Sequence, residues 1–346
     1  MKQRVLVLTH QAYSPPENLR SLSAKEIAPW RTEYDVITAL EKLGHEVRTL
    51  GGVIDLSNIR DVITEWKPHV AFNLLEEFHG EGFYVPYVLG YLELMKIPFT
   101  GCNPSGLMLA DSKQLMKKVL RYHRILAPDF AVFKRGRAIR RPRRLGFPLI
   151  VKSATTHGSV GIAQASLVTN DEKLAERVAF VHETIQTDAI AEEYIEGREL
   201  YVGVIGNRRL ETFPIWEMTF RKLANGAAPI ATAKVKWDRA YQKEHGITTA
   251  SAKNLPEDLT RSIVRLCKRV YRILGLSGYA RMDFRLNDDG RLYLLEPNPN
   301  PDLKREEDFS ESAKSVGVTH QQLIQRILNL GVRYFGEQPV AQATDS

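Results

Sequence analysis

The chain has 346 residues, 43% of them hydrophobic and 26% charged, with a formal net charge of +7. That length accommodates two or three domains, and that balance predicts a soluble globular protein rather than a disordered or membrane-embedded one. The first apolar run, Val5 to Leu8, is too short for a signal-peptide core or a membrane span. Cys102 and Cys267 are the only cysteines; they supply neither a disulfide framework nor zinc spacing, which fits a reducing cytoplasm.

Over the first hundred or so residues, strand and helix patterns alternate. Val5–Leu8 reads as a buried strand. Thr32–Leu43 reads as a helix with Val36, Ile37, Leu40 and Leu43 on its apolar side and Gly44 as its stop. Strand Glu46–Leu50, helix Ile59–Trp66, strand Val70–Leu75, helix Tyr84–Met95 and strand Ile97–Thr100 follow. This alternation predicts a parallel sheet covered by helices.

Ser112–His123 is helical, and a second unit opens near Pro128. It runs through the strand Pro148–Lys152, a small-residue loop, the strand Ile162–Ala165, the helix Asp171–His182 and the strand Ala189–Glu193. A third unit begins with the strand Leu200–Ile205, continues through a loop-rich stretch to about Asn254, and reaches the amphipathic helix Glu257–Leu274. A hairpin and the helix Thr319–Leu330 complete it, and a polar tail follows Gly336. The expected units are therefore 1–111, 112–199 and 200–335, with a flexible tail at 336–346. One basic run, Lys134 to Arg144, holds much of the positive charge. Nucleic-acid binding is one reading of it. Without interleaved aromatics as base-stacking platforms, a solvated loop is the better account.

Three stretches carry candidate chemistry. In the hairpin, Gly278–Leu286 and Arg291–Asn298 both alternate, and Asn287-Asp288-Asp289-Gly290 between them is a turn signal. With Leu286 opposite Arg291, Asp283 faces Leu294 and Arg281 faces Glu296. Arg281, Asp283, Leu294 and Glu296 then share one face, and Met282, Phe284, Tyr293 and Leu295 share the other. Two carboxylates with Asn298 just beyond suit Mg²⁺ and phosphate oxygens, although a charged face turned to water explains the hairpin alone at least as well. The second stretch, Thr155 to Gly161 after Lys152, is a small-residue loop able to turn N–H groups toward an anion. It is not a P-loop, since no G-x-x-x-x-G-K-[ST] string is present, and a plain hairpin turn also accounts for it. In the third, Glu192 to Glu199 leaves a strand, so its backbone could meet a purine edge and a later carboxylate a ribose.

In order and together, these pieces resemble the ATP-grasp ligases, in their D-alanine–D-alanine ligase-like branch. The resemblance runs from about Val5 to Val332 and rests on His79-Gly80-Glu81-Gly82 with Leu92 to Gly101; Asp111-Ser112-Lys113; Phe147 to Lys152 with His157 to Gly161; Glu192 to Glu199; and Gly278 to Phe284 with Glu296-Pro297-Asn298. It implies an α/β chain in which an N-terminal Rossmann-like sheet precedes two α+β units that sandwich ATP. Lys113, Lys152 and Lys236 would contact phosphates, with His157, Gly158, Ser159 and Gly161 as the covering loop. Glu192, Tyr194 and Ile195 would meet adenine, and Glu199 the ribose. Asp283, Glu296 and Asn298 would hold two Mg²⁺. Arg281, Lys152, Ser159 and Glu33 form the implied catalytic set. The implied activity is ATP-dependent joining of a small carboxylate to an amine through an acylphosphate, in the cytoplasm, by a homodimer that binds neither membrane nor nucleic acid. D-alanine–D-alanine synthesis itself and a nucleotide-binding module without turnover are the alternatives.

Three departures from the family pattern bear on substrate. The N-terminal glycine-serine-glutamate loop is replaced by a longer segment from His10 to Trp30, after which Glu33 keeps an acidic side chain. The family tyrosine following the lysine near the lid is Trp237. The family's E-x-N-x-x-P-G becomes Glu296 to Asp302, followed by Glu306-Glu307-Asp308 where serine and leucine would grip a carboxylate. Acidic side chains there would disfavour an incoming α-carboxylate and favour a neutral or cationic amine; pointing into water, they would do neither.

Overall fold

A computed structural model describes residues 2–10, 13, 23–51, 55–155, 159, 161–223 and 227–337. Strand β1 (Arg4–Thr9) lies between β2 (Glu46–Gly51) and β3 (Val70–Leu74) in a parallel sheet. Val5 to Leu8 are fully buried because both faces are covered, which is why that strand reads as an unbroken apolar run. On one face, Val5 and Val7 pack with Val36 and Leu40 of the helix Arg31–Lys42 and with Ile324 and Leu328 of the C-terminal helix His320–Glu337. On the other, Leu6 and Leu8 join Ile59, Val88 and Leu89. The expected strand at Ile97–Thr100 reduces to one parallel bridge between Ala71 and Phe99.

A second, antiparallel sheet has the order β4 (Phe130–Phe133), β7 (Ala189–Glu193), β5 (Leu149–Ser153), β6 (Leu167–Val168). The helix Asp171–Phe180, capped by Asn170, covers it with Leu174 and Val178 against Leu149 and Val151. No strand forms over Ile162–Ala165. The Ser166 hydroxyl instead accepts the Ala163 N–H at 3.1 Å, a short 3-10 turn spans Gln164–Ser166, and pairing resumes only at β6.

The largest sheet runs β11 (Ile247–Ser251), β10 (Trp216–Phe220), β8 (Arg198–Ile205), β12 (Tyr279–Leu286), β13 (Leu292–Pro299), with β9 (Glu211–Thr212) paired to β8. The stretch expected to be loop-rich thus contains β10 and β11, together with the helices Ala233–Trp237 and Arg239–Glu244. Ile263, Cys267 and Val270 of the helix Glu257–Ile273 close the core against Val202, Met282 and Phe284.

The hairpin β12–β13 forms, but its register differs from the expected one. The turn closes one residue later, with the Asn287 N–H donated to the Arg291 carbonyl at 3.0 Å. Leu286 therefore pairs with Leu292 and Phe284 with Leu294. An irregularity between Asp283 and Phe284 then admits an extra residue, Leu295, so that Asp283 pairs with Glu296 and Arg281 with Asn298. Leu294 turns into the core beside Met282 and Phe284, and Leu295 turns to the opposite side.

The first and third units meet through side-chain-to-backbone hydrogen bonds and close glycine contacts. Asn300 Oδ1 accepts the Cys102 N–H at 2.8 Å, and Ser277 Oγ accepts the Asn103 N–H at 2.9 Å. Gly278 sits at φ +70°, where a Cβ would lie 2.4 Å from the Gly101 carbonyl oxygen. In the C-terminal helix, a Cβ on Gly331 would come within 2.6 Å of the Phe99 carbonyl oxygen. Alanine in a helix interior is normally about 1 kcal/mol better than glycine. Here the obstacle is backbone, and overpacking costs about 1–3 kcal/mol. Gly331→Ala should therefore lower the urea midpoint; a raised midpoint would show that helix propensity wins and the contact yields.

Candidate active site

A cleft separates the second sheet from the third. Alternation along β5 sends Ile150 and Lys152 into it. The end of β7 and the segment after it add Glu192, Tyr194 and Ile195. From the other side come Glu199, Lys236, Asp283 and Glu296, and Ser159 lies at the edge. Nine of the residues singled out in the sequence thus line one space. His157 and Gly158 lie outside the described residues, as do positions 338–346 of the tail. Gly161 has φ +70° and its carbonyl accepts from Arg177.

The charges in the cleft are interlocked. Glu192 is fully buried between Lys152 Nζ at 2.9 Å and Lys117 Nζ at 3.3 Å. Burial pushes its pKa up, but the two ammoniums outweigh that and hold it below the usual carboxylate range. Burial and the neighbouring Lys152 lower the pKa of Lys113, opposed by Glu296, Glu192 and Asp111. Burial, with Glu296 adding, pushes Asp111 up to about 7. Arg281 grips Asp283 through Nε and Nη2 at 2.8 and 2.9 Å, and the Asn298 amide donates to the same carboxylate at 2.8 Å. Glu199 is held by Arg285 at 2.5 Å and by the Tyr201 hydroxyl at 2.6 Å. Ser159 Oγ donates to the Ala231 carbonyl at 2.8 Å, and the Tyr194 N–H to the Pro148 carbonyl at 3.0 Å.

Arg281 borders a region where the segment after β13 meets the start of the helix Arg31–Lys42. Asp308 Oδ2 is 3.9 Å from Arg281 Nη1, and Lys304 Nζ bridges Asp302 at 3.0 Å and Glu307 at 3.6 Å. Asp302, at the family's glycine position, accepts the Thr32 hydroxyl at 2.7 Å. Glu33 is 5% exposed; burial raises its pKa to about 7, with the Glu76 and Asp302 carboxylates adding to the shift. Glu306 instead faces outward and reaches Arg31 at 3.4 Å.

Sequence reasoning missed Lys117, Glu193 and Arg285. Arg285 was recoverable by carrying the alternation of Arg281 and Asp283 one step further. Lys117 was recoverable as the residue one turn after Lys113 in the helix Lys113–Tyr122. Ile162, Ile230, Ala231 and Leu295 also line the cleft, and nothing local marks them. In the basic run, Arg135, Arg141 and Arg144 are tied to Gln186, Asp171 and Asp129.

An antiparallel α+β pair of sheets closing on a charged cleft, behind a parallel N-terminal sheet, is the ATP-grasp fold. Residues 119–329 match the family model for the D-ala D-ala ligase C-terminus. A D-alanine–D-alanine ligase of Nitratidesulfovibrio vulgaris (strain DP4) is 31% identical over 89% of this chain and 97% of its own length. An uncharacterised protein of Sinorhizobium fredii, y4sG, is 29% identical over 89% of this chain and 90% of its own length. Among solved structures, the ATP complex of the Bacillus anthracis D-alanine–D-alanine ligase superposes with a TM-score of 0.74 at 22% identity, covering 97% of this chain and all of that one. The chain belongs to the D-alanine–D-alanine ligase family of ADP-forming ATP-grasp ligases.

Glu33 gives this region a pH signature. Its carboxyl keeps a proton in the folded chain up to about pH 7, whereas the unfolded chain loses it near the ordinary glutamate value. Between those two points the folded state binds more protons, so stability falls as pH rises. A shift of that size corresponds to about 3 kcal/mol. Denaturant titrations between pH 4.5 and 7 should show that decline, and Glu33→Gln should reduce it, leaving the share of Asp111, whose carboxyl burial also pushes up to about 7. An unchanged slope would mean that the Glu33 pocket is wetter than its burial indicates.

Proposed function

We propose that this chain is an ATP-dependent carboxylate–amine ligase acting through an acylphosphate, and that it is not dedicated to D-alanyl-D-alanine synthesis. The carrying observation is the Asp283–Glu296 pair, set opposite one another in register and facing the same cleft as Lys152, in a chain of this family. In this reading Lys113, Lys152 and Lys236 meet the triphosphate, the Tyr194–Ile195 backbone meets adenine, and Glu199 meets the ribose. Glu192 serves mainly to hold Lys152 and Lys117. The Tyr194 N–H is already committed to Pro148, which leaves its carbonyl and the Ile195 backbone for the base.

Mg²⁺ is implied by the fold family. Among the described residues no group of three or more His, Cys, Asp or Glu gathers to hold a metal. Two carboxylates with an amide nevertheless fit an ion whose remaining ligands are phosphate oxygens and water. Asp283 is buried; burial raises its pKa against the opposing Arg281 guanidinium, and Glu296 adds to the rise. Asp283, Glu296 and Asn298 would hold the ion, and when bound it would neutralise charge on the phosphoryl oxygens.

In the first half-reaction a substrate carboxylate oxygen bonds to the γ-phosphorus and the bond to ADP breaks. The lysines stabilise the charge on the transferring group. In the second, the amine nitrogen bonds to the acyl carbon, phosphate departs with the C–O electron pair, and the nitrogen loses a proton. In this reading Arg281 stabilises the oxyanion formed between those events. The two buried free thiols support a cytoplasmic setting. True D-alanyl-D-alanine synthesis is the second reading, favoured by the printed names of relatives near 30% identity.

Incubating the protein with ATP, Mg²⁺, hydroxylamine and a panel of amino acids should release ADP and form hydroxamate with at least one carboxylate. Asp283→Asn and Glu296→Gln should each lower that rate by about 10² or more. Lys152→Ala and Lys113→Ala should raise the KM for ATP. A folded wild-type protein releasing no ADP with any carboxylate would overturn the ligase reading.

A further inference from the structure

Three buried charges stand in a row from the cleft to the helix Lys113–Tyr122. At the cleft end, Lys152 Nζ lies 2.9 Å from Glu192 Oε2. At the closed end, Lys117 Nζ lies 3.3 Å from Oε1 of the same carboxylate and donates to the Pro128 carbonyl at 3.3 Å. Lys152 and Glu192 line the cleft; Lys117 does not, and only 1% of its side chain is exposed. Anything Lys117 does for a ligand in the cleft therefore passes through Glu192. Burying an ammonium is costly, and an apolar side chain of similar size would fill the same space more cheaply. The charge itself needs a reason.

The reason lies in what Lys152 can offer an anion. A lysine closed into an ion pair with one carboxylate presents a nearly neutral pair. Burial raises the pKa of Glu192, but the two ammoniums outweigh it, so the carboxylate stays ionised. With Lys117 on its far oxygen, the row carries one positive charge in surplus, and its open end is Lys152. Resting on the assignment of Lys152 to the triphosphate, we propose that Lys117 is a positioning residue for the nucleotide: it takes up the charge of Glu192, so that Lys152 keeps its own for the phosphates. The competing account is a clamp, in which Lys117 merely ties its helix to β7 and to the Pro128 segment. A clamp needs hydrogen bonds but no charge, and it has no reason to favour phosphates over the rest of the nucleotide.

Calorimetry on the full chain with the non-hydrolysable analogue AMP-PCP and Mg²⁺, and separately with adenosine, reads the phosphate contribution without requiring turnover. Lys117→Gln keeps donors toward Glu192 and the Pro128 carbonyl but loses the charge. We expect it to raise the Kd for AMP-PCP by about tenfold or more while leaving that for adenosine nearly unchanged. Adding Glu192→Gln removes the opposing charge and returns the row to its surplus, so the double variant should recover AMP-PCP affinity close to that of the wild type. Lys118→Gln, exposed on the same helix, should change neither ligand. If Lys117→Gln does not fold, Glu192→Gln decides, and it should bind AMP-PCP at least as tightly as the wild type. Equal losses for AMP-PCP and adenosine, a double variant no tighter than Lys117→Gln, or weaker AMP-PCP binding by Glu192→Gln would establish the clamp and overturn the inference. Unchanged AMP-PCP binding by Lys117→Gln defeats this inference alone. A wild-type chain that binds AMP-PCP no better than adenosine defeats the phosphate assignment of Lys152 on which it rests.

Discussion

The bulged pairing of β12 with β13 is the constraint on which the rest of the site depends. A continuous ladder from the same turn would place Asp283 opposite Leu295 and carry Glu296 to the apolar side, opposite Met282. One extra residue in β13 sets Asp283 opposite Glu296 and Arg281 opposite Asn298. It also keeps Met282, Phe284 and Leu294 together on the apolar side. One backbone irregularity therefore serves both faces of the sheet: it concentrates like charge on one and completes the core on the other. Bulges that re-aim side chains next to functional sites act in this way.

Charge placed so deeply has to be balanced locally, and the cleft shows how. Lys152 and Lys117 share Glu192, Arg285 holds Glu199, and Arg281 holds Asp283. Each buried cation in these pairs has a carboxylate on a neighbouring strand or on its own, so the scaffold fixes the geometry before any nucleotide arrives. Such preorganisation is worth more in a site that excludes water than the same charges would be at a surface. In the neighbouring region Lys304 is shared between Asp302 and Glu307, and Arg281 reaches Asp308 at 3.9 Å.

The order of strands and helices was legible wherever a periodic pattern was long: β1, the helix Arg31–Lys42, the helix Glu257–Ile273 and the two strands of the hairpin. Short strands such as Phe130–Phe133 and Trp216–Phe220 were not, because four or five residues carry too little periodicity to stand apart from loop. The site was legible where chemistry and alternation coincide, as at Lys152, Asp283 and Glu296. The exchange of Leu294 and Leu295 was not legible, since a bulge is set by where the turn closes and what the far face packs against. Nor could the sequence decide among Glu306, Glu307 and Asp308. Three consecutive acids look alike, and only the loop's path turns the first outward toward Arg31 and the other two inward.

Cys102 and Cys267 lie wholly within the core that joins the first and third layers, and burial raises the pKa of each thiol, that of Cys102 to about 12. Neither offers a thiolate or a path to solvent, so alkylating reagents and mild oxidants find nothing to attack while the chain stays folded. The native surface is then chemically silent toward maleimides among the described residues. A single cysteine placed on the rim of the cleft would be the one reactive thiol on the molecule, and a fluorophore attached there would report on that position without background.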